Sequence, residues 1–271
     1  MREESRKLYK ELQSHPFIFA GPCVLESFEL ARDAALAVKE AAKSAGLTAV
    51  FKSSYDKANR SAISGFRGPG LETGLKWLSR IKEETGLPVV TDVHEPGEIA
   101  EVARVADILQ IPAFLSRQTS LLLAAGESGR IVNVKKGQFL APWEMKNVID
   151  KVKSTGNEMV LATERGSSFG YNNLVVDMRS FSIMKSFGVP TVMDATHAVQ
   201  LPGGQGISSG GDRRHVPALA RAAVAAGADG VFMECHPDPD KALCDGPNSL
   251  DIKDLPGLLK ELAAIWEILR G

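Results

Sequence analysis

Cations recur in this chain at one kind of place, the ends of short apolar runs. Lys52, Lys57 and Arg60 follow one run, Lys135 and Lys136 close another, and Arg165 lies in TERGSS at the end of a third. Acids, imidazoles and other polar groups share such positions: Asp92 with His94, Gln110, Glu164, Asp194 with His197, Glu234 with His236, and Cys23. A charge drawn out of water without a partner costs about 3–5 kcal/mol, so many cations converging on one mouth imply an ionic ligand. Lys52, Lys57, Arg60, Lys135 and Arg165 together could hold more than two negative charges, and arginine suits bidentate contact with phosphate or carboxylate. The substrate class this implies is small, phosphorylated and polyanionic. Lys57 and Lys136 fit equally well as solvent-facing side chains.

A second group has different chemistry. A thiolate from Cys23, the imidazole of His197, Glu234 and the acids of HPDPDKALCDGP (236–247) suit a borderline divalent metal such as zinc or ferrous iron. No CxxC or HExxH spacing accompanies them. Cys23 therefore also reads as a small buried hydrophobe and His197 as a proton shuttle. Cys235, next to Glu234, points the opposite way along its strand and reads as packing.

The elements that must carry these residues are regular. Eight runs rich in Val, Ile and Phe occur at 17–22, 49–55, 88–93, 107–113, 130–136, 159–166, 190–198 and 230–236, each followed by a turn and then by helical spacing. The runs lack the polar alternation of half-exposed strands, which implies a buried parallel sheet. Eight βα units and a first turn, GPCVLES (21–27), without G-x-G-x-x-G predict a single (β/α)8 TIM barrel, residues 17–271, rather than a doubly wound sheet. Residues 1–16 are expected to form an N-terminal extension with a short helix. Closure would set the eighth strand beside the first and seventh, bringing Cys23, His197 and Glu234 together. Catalytic groups are then expected at the C-terminal strand ends. The glycine-rich loop 201–215 reads either as a mobile lid or as a plain surface loop.

Composition narrows the partners. Hydrophobic residues make up 44% and charged residues 24% of 271, which fits neither a disordered nor a membrane-spanning chain. A formal net charge of −1 gives no global field for nucleic acid or an anionic membrane. Three cysteines and a charged start, MREESRKLYKEL, point to a reducing compartment, the cytoplasm.

GPC (21–23), KSSYDKANRS (52–61), TDVH (91–94), QIPAF (110–114), NVKKGQF (133–139), TERGSSFGYNNLVVD (163–177), DATHAVQ (194–200) and ECHPDPDKALCDGPNSL (234–250) resemble the 3-deoxy-D-manno-octulosonate 8-phosphate (Kdo-8-phosphate) synthases. The likeness runs from Phe17 nearly to the C-terminus. The related 3-deoxy-D-arabino-heptulosonate 7-phosphate synthases, which use erythrose 4-phosphate, carry a proline-containing segment where this chain has KANRS. The resemblance implies condensation of phosphoenolpyruvate with D-arabinose 5-phosphate and water, a step toward the Kdo of lipopolysaccharide. It places Lys135, Arg165, Gln110 and the Ala113 backbone at the phosphate of phosphoenolpyruvate, and Lys52, Ser54 and Lys57 near its carboxylate. Asn59, Arg60 and Ser61 fall to the pentose-phosphate side, and Asp92 to a sugar hydroxyl. Arg117 matches an arginine offered to a neighbouring subunit, in a homotetramer. Cys23, His197, Glu234 and Asp245 match the ligands of the metal-dependent branch (zinc, ferrous iron or manganese), although the Cys244-Asp245-Gly246-Pro247 run is more like the metal-independent one. His94, Glu234 and Asp245 are the candidate proton carriers. Two other readings stay open: a Schiff-base aldolase with Lys135 or Lys52 as nucleophile, and a sugar-phosphate binder without turnover.

Overall fold

The computed structural model describes residues 2–203 and 210–270. Eight parallel strands form the barrel: β1 (Phe17–Gly21), β2 (Thr48–Lys52), β3 (Val89–Asp92), β4 (Ile108–Ile111), β5 (Ile131–Lys135), β6 (Val160–Glu164), β7 (Thr191–Asp194) and β8 (Gly230–His236). Each pairs with the next, and β8 pairs with β1 from Phe17↔Gly230 to Gly21↔Glu234, closing the sheet. The predicted barrel is the observed one. Several strands stop short of the predicted C-terminal ends: His197, inside the run 190–198, lies on the loop beyond β7, and His94 and 57–61 lie on the loops beyond β3 and β2.

The helices are α1 (Arg2–Ser14), α2 (Phe28–Ala45), α3 (Leu71–Thr85), α4 (Ile99–Val105), α5 (Thr119–Glu127), α6 (Met145–Lys153), α7 (Arg179–Lys185), α8 (Val216–Ala225) and α9 (Leu255–Arg270). Local chemistry sets their limits. The Ser27 side chain accepts from Leu30 N at the start of α2, and Gly46, at φ 67°, lets the chain leave its far end. Helix α1 lies across the N-terminal mouth of the barrel, where Leu12 is buried and the Tyr9 hydroxyl donates to the Val160 carbonyl at 3.1 Å.

Strand periodicity of two decides what faces inward. Phe17, Phe19, Val50, Val90, Ile108, Ile131, Leu161, Val192 and Phe232, drawn from all eight strands, form one cluster inside the barrel. Continuing by twos toward the C-terminal ends gives Lys52, Asp92, Gln110, Lys135, Asp194 and Glu234, all buried. The apolar layer is a floor, and each large side chain fully buried there contributes roughly 1.5–3 kcal/mol. The opposite parity packs against the helices, and Cys235 is in that outer layer, as expected. Of the glycine-rich loop 201–215, read either as a lid or as a plain surface loop, positions 204–209 lie outside the described residues; at its base, Leu201 pairs with Gly210. No helix among the described residues is long and apolar enough to cross a membrane.

Candidate active site

The C-terminal mouth of the barrel opens into a cavity of about 500 Å³. Lys57, Asn59, Arg60 and Ser61 line it from the loop after β2, Asp92 and His94 from β3, and Gln110 and Ala113 from β4. Lys135, Arg165, His197 and Asp245 complete the ring of sequence-predicted residues. Cys23, Lys52, Ser54 and Glu234 form a buried layer against it. Arg117 stands apart, exposed, its carbonyl accepting from Lys151 Nζ at 3.2 Å.

Arg165 is the most informative cation. The residue is 4% exposed, Nη2 donates to Gln200 Oε1 at 3.0 Å, and Nε and Nη1 have no partner among the described residues. Burial pulls its pKa below the ordinary arginine value, against the pull of Asp194 and Glu164. A buried guanidinium with two unmet donors is built for an anion that arrives from solution. Nearby, Lys135 Nζ meets Asp194 Oδ2 at 2.6 Å and sits 3.8 Å over the Phe232 ring. Burial and the Lys52 cation depress the Lys135 pKa while Asp194 works the other way.

Lys136 belongs elsewhere. It is fully buried on the outward face, 3.4 Å from Glu164 and bonded to Ser167, so it neither meets solvent nor enters the cavity. Glu164 accepts from the Arg165 and Gly166 amides and shapes the turn that aims Arg165 inward.

The opposite wall carries the second constellation. Asp194 accepts from the His197 amide at 2.9 Å and lies 2.8 Å from its Nδ1. A carboxylate can only accept, so Nδ1 faces Asp194 as a donor, and Nε2 faces Glu234 (3.7 Å) and Asp245 (3.8 Å). Cys23 Sγ lies 3.5 Å from Asp245 Oδ2. Cys23, Cys244 and Asp245 converge as one metal-compatible triad, and His197, Glu234 and Asp245 as another. Metal bonds of about 2.0–2.3 Å require donors at such separations. Glu234 Oε2 is buried with no partner among the described residues, while Oε1 takes Lys52 at 3.0 Å, so the donor set fits a divalent ion. Burial, despite opposing charge, is outweighed at Glu234 by His197 and three lysines, which hold its pKa well below the carboxylate range. Burial pushes the Cys23 thiol up.

Two further arrangements complete the site. The Ser54 hydroxyl donates to Asp92, which lies 3.3 Å from His94 Nε2. Sequence reasoning missed Gln138 and Gln200, uncharged loop residues with no spacing signal, and it missed Cys244, whose place beside Asp245 was the available clue.

The profile of the DAHP synthetase I family matches residues 10–269. The chain belongs to this family. Among the relatives, a protein of Nitratidesulfovibrio vulgaris (strain DP4) is 67% identical over 261 residues, 96% of each chain. One from Desulfatibacillum aliphaticivorans is 60% identical over 248 residues (92% of this chain, 91% of the relative). A third, from Syntrophotalea carbinolica, is 58% identical over 259 residues (95% and 94%). All three bear the name 2-dehydro-3-deoxyphosphooctonate aldolase.

Proposed function

We propose that this chain condenses phosphoenolpyruvate with D-arabinose 5-phosphate and water to give 3-deoxy-D-manno-octulosonate 8-phosphate and inorganic phosphate, for the Kdo of lipopolysaccharide, in the cytoplasm. Arg165 carries this reading: two unmet donors on a buried guanidinium, beside Lys135, suit the phosphate of phosphoenolpyruvate. Gln110 and the Ala113 backbone flank that phosphate. Lys57 faces the cavity for the carboxylate, with Lys52 and Ser54 behind it. Asn59, Arg60 and Ser61 take the pentose-phosphate side, and Asp92 a sugar hydroxyl.

In the reaction C3 of the enol phosphate attacks the aldehyde carbon, C2 gains positive character and accepts water, and phosphate leaves by C–O cleavage. The cations neutralise the two anionic substrates and hold C3 within reach of the aldehyde, so positioning supplies much of the rate. His94, Glu234 and Asp245 would carry the protons, taking one from the attacking water and giving one to the alkoxide that forms as C3 adds to the aldehyde carbonyl. Cys23, His197, Glu234 and Asp245 would hold zinc, ferrous iron or manganese, which when bound polarises and orients the aldehyde.

A homotetramer with Arg117 reaching the neighbouring site completes the proposal. Arg117 lies outside its own cavity, and Phe114, Phe139, Trp143 and Phe169 are exposed on the adjoining loops. So many large apolar rings on one rim suit burial against another copy.

The test is phosphate release from phosphoenolpyruvate with arabinose 5-phosphate, before and after dipicolinate, and after divalent metal is restored. Activity lost with chelator and regained with metal is expected. Turnover with erythrose 4-phosphate alone would move the chain to the sibling activity, and activity indifferent to chelation would remove the metal.

A further inference from the structure

Cys244 has no part in the chemistry above, yet its sulfur sits inside the site. Cys244 Sγ is 3.1 Å from Cys23 Sγ, and Arg60 Nη1 donates to it at 2.9 Å. The two sulfurs are about 1 Å farther apart than a bonded pair. Neither is in a disulfide, and the third cysteine, Cys235, lies in the outer packing layer. Cys244 lines the cavity and Cys23 does not, so a small oxidant entering through the mouth meets Cys244 first.

The geometry points to Cys23 and Cys244 as an oxidisable dithiol, a modification site at which a peroxide converts the pair to a disulfide and disables the metal-binding position. The Cys244 sulfur attacks one peroxide oxygen, the O–O bond breaks, and a sulfenic acid and one water result. The Cys23 sulfur then attacks that sulfenic sulfur, the S–OH bond breaks, and the S–S bond forms with release of a second water. Two thiols and one hydrogen peroxide thus give one disulfide and two waters, the sulfurs oxidised and the peroxide oxygens reduced. The product has no thiolate to offer from Cys23. Asp245, next to Cys244 in the chain and at φ 51°, is tethered to the same bond, so two of the four candidate ligands are disturbed together. A bound ion would hold the Cys23 sulfur and block the second step.

This protection rests on the metal reading above; the dithiol itself does not. The chain, stripped of metal with dipicolinate, is treated with hydrogen peroxide, and intact mass and a non-reducing peptide map are recorded. A loss of about 2 Da and a peptide joining positions 23 and 244 are expected, both reversed by dithiothreitol, with zinc binding by the oxidised protein reduced at least tenfold. Preloading with zinc should slow the linkage at least tenfold. Cys235→Ser should form the same link and Cys244→Ser should not; the peptide map of the unsubstituted chain decides alone if the latter does not fold. Sulfinic acid at Cys244 without linkage, or linkage through Cys235, would overturn the proposal. Linkage that zinc does not slow would leave the dithiol standing and sink the metal reading instead.

Discussion

Arg165 shows how a site can be recognised by what it leaves unsatisfied. Its unmet donors cost stability in the free protein and are useful only when an anion arrives. Arg165→Met, which keeps the aliphatic stem, should therefore cost about 2–4 kcal/mol of transition-state stabilisation, roughly a 30- to 1,000-fold loss in kcat/KM for phosphoenolpyruvate. The melting temperature of the free protein should not fall, because an unpaired buried charge is removed. Steady-state kinetics and calorimetry on one preparation check both halves. His94 permits a second test. Burial opposes its charge, but Asp92, followed by Glu98, outweighs burial and raises its pKa. A raised folded pKa means that the stabilisation is complete below the unfolded value of about 6.5 and is lost as pH rises through the folded value. The melting-temperature gap between the native chain and His94→Asn should thus be widest in mild acid and shrink in alkali; a gap that is flat or grows with pH would refute the ion pair. Residue types alone revealed most of this constellation, because charged groups at the ends of apolar runs are conspicuous. Lys136 was not settled by type. Its parity, one residue past the inward-facing Lys135, carries that information, as it did for Cys235 beside Glu234.

The elements fix these residues through register. Along β8, Phe232 belongs to the floor and Glu234 to the site; in β1, Phe19 and Gly21 alternate in the same way. Gly21 is a sensitive point. Its φ is +153°, and an added Cβ would lie 2.2 Å from the Lys52 carbonyl oxygen and 2.8 Å from the Phe51 ring. Backbone cannot rotate out of the way, so Gly21→Ala should cost about 3 kcal/mol and lower the melting temperature by roughly 6–12 °C. Gly46→Ala, whose added Cβ meets nothing within 4 Å, should cost only about 1 kcal/mol for its left-handed backbone. Comparable losses at the two positions in thermal unfolding would contradict the close approach of β1 to β2. The eight strands were legible because both faces are buried, which makes each run continuously apolar. Their C-terminal limits were not, because a polar residue ending a strand and one opening the next loop look alike in sequence. The small antiparallel pairs 167–168 with 174–175 and 200–201 with 210–211 have strands of two residues, too short for a periodicity to show.

At the scale of the whole molecule the question is whether one chain makes a complete site. The cavity wall contributed by β4 to β6 ends in exposed rings, and Arg117 lies beyond that wall, so its charge cannot serve the cavity of its own chain in this arrangement. If the neighbour's cavity receives it, two differently damaged chains can repair each other. Arg117→Ala keeps its own Arg165 but deprives the neighbour of the long guanidinium; Arg165→Met keeps Arg117 but spoils its own phosphate grip. In oligomers reassembled from equal amounts of the two, a site is intact only where a chain with native Arg165 faces a chain with native Arg117. Random pairing then makes about a quarter of the sites native, although each variant alone has almost none. Phosphate release from the mixture, compared with the same amounts assayed separately, reads this directly. Activity no greater than the sum of the two parents, with hybrid assembly verified by native mass spectrometry, would place Arg117 outside the site and leave the aromatic rim as a contact that only holds copies together.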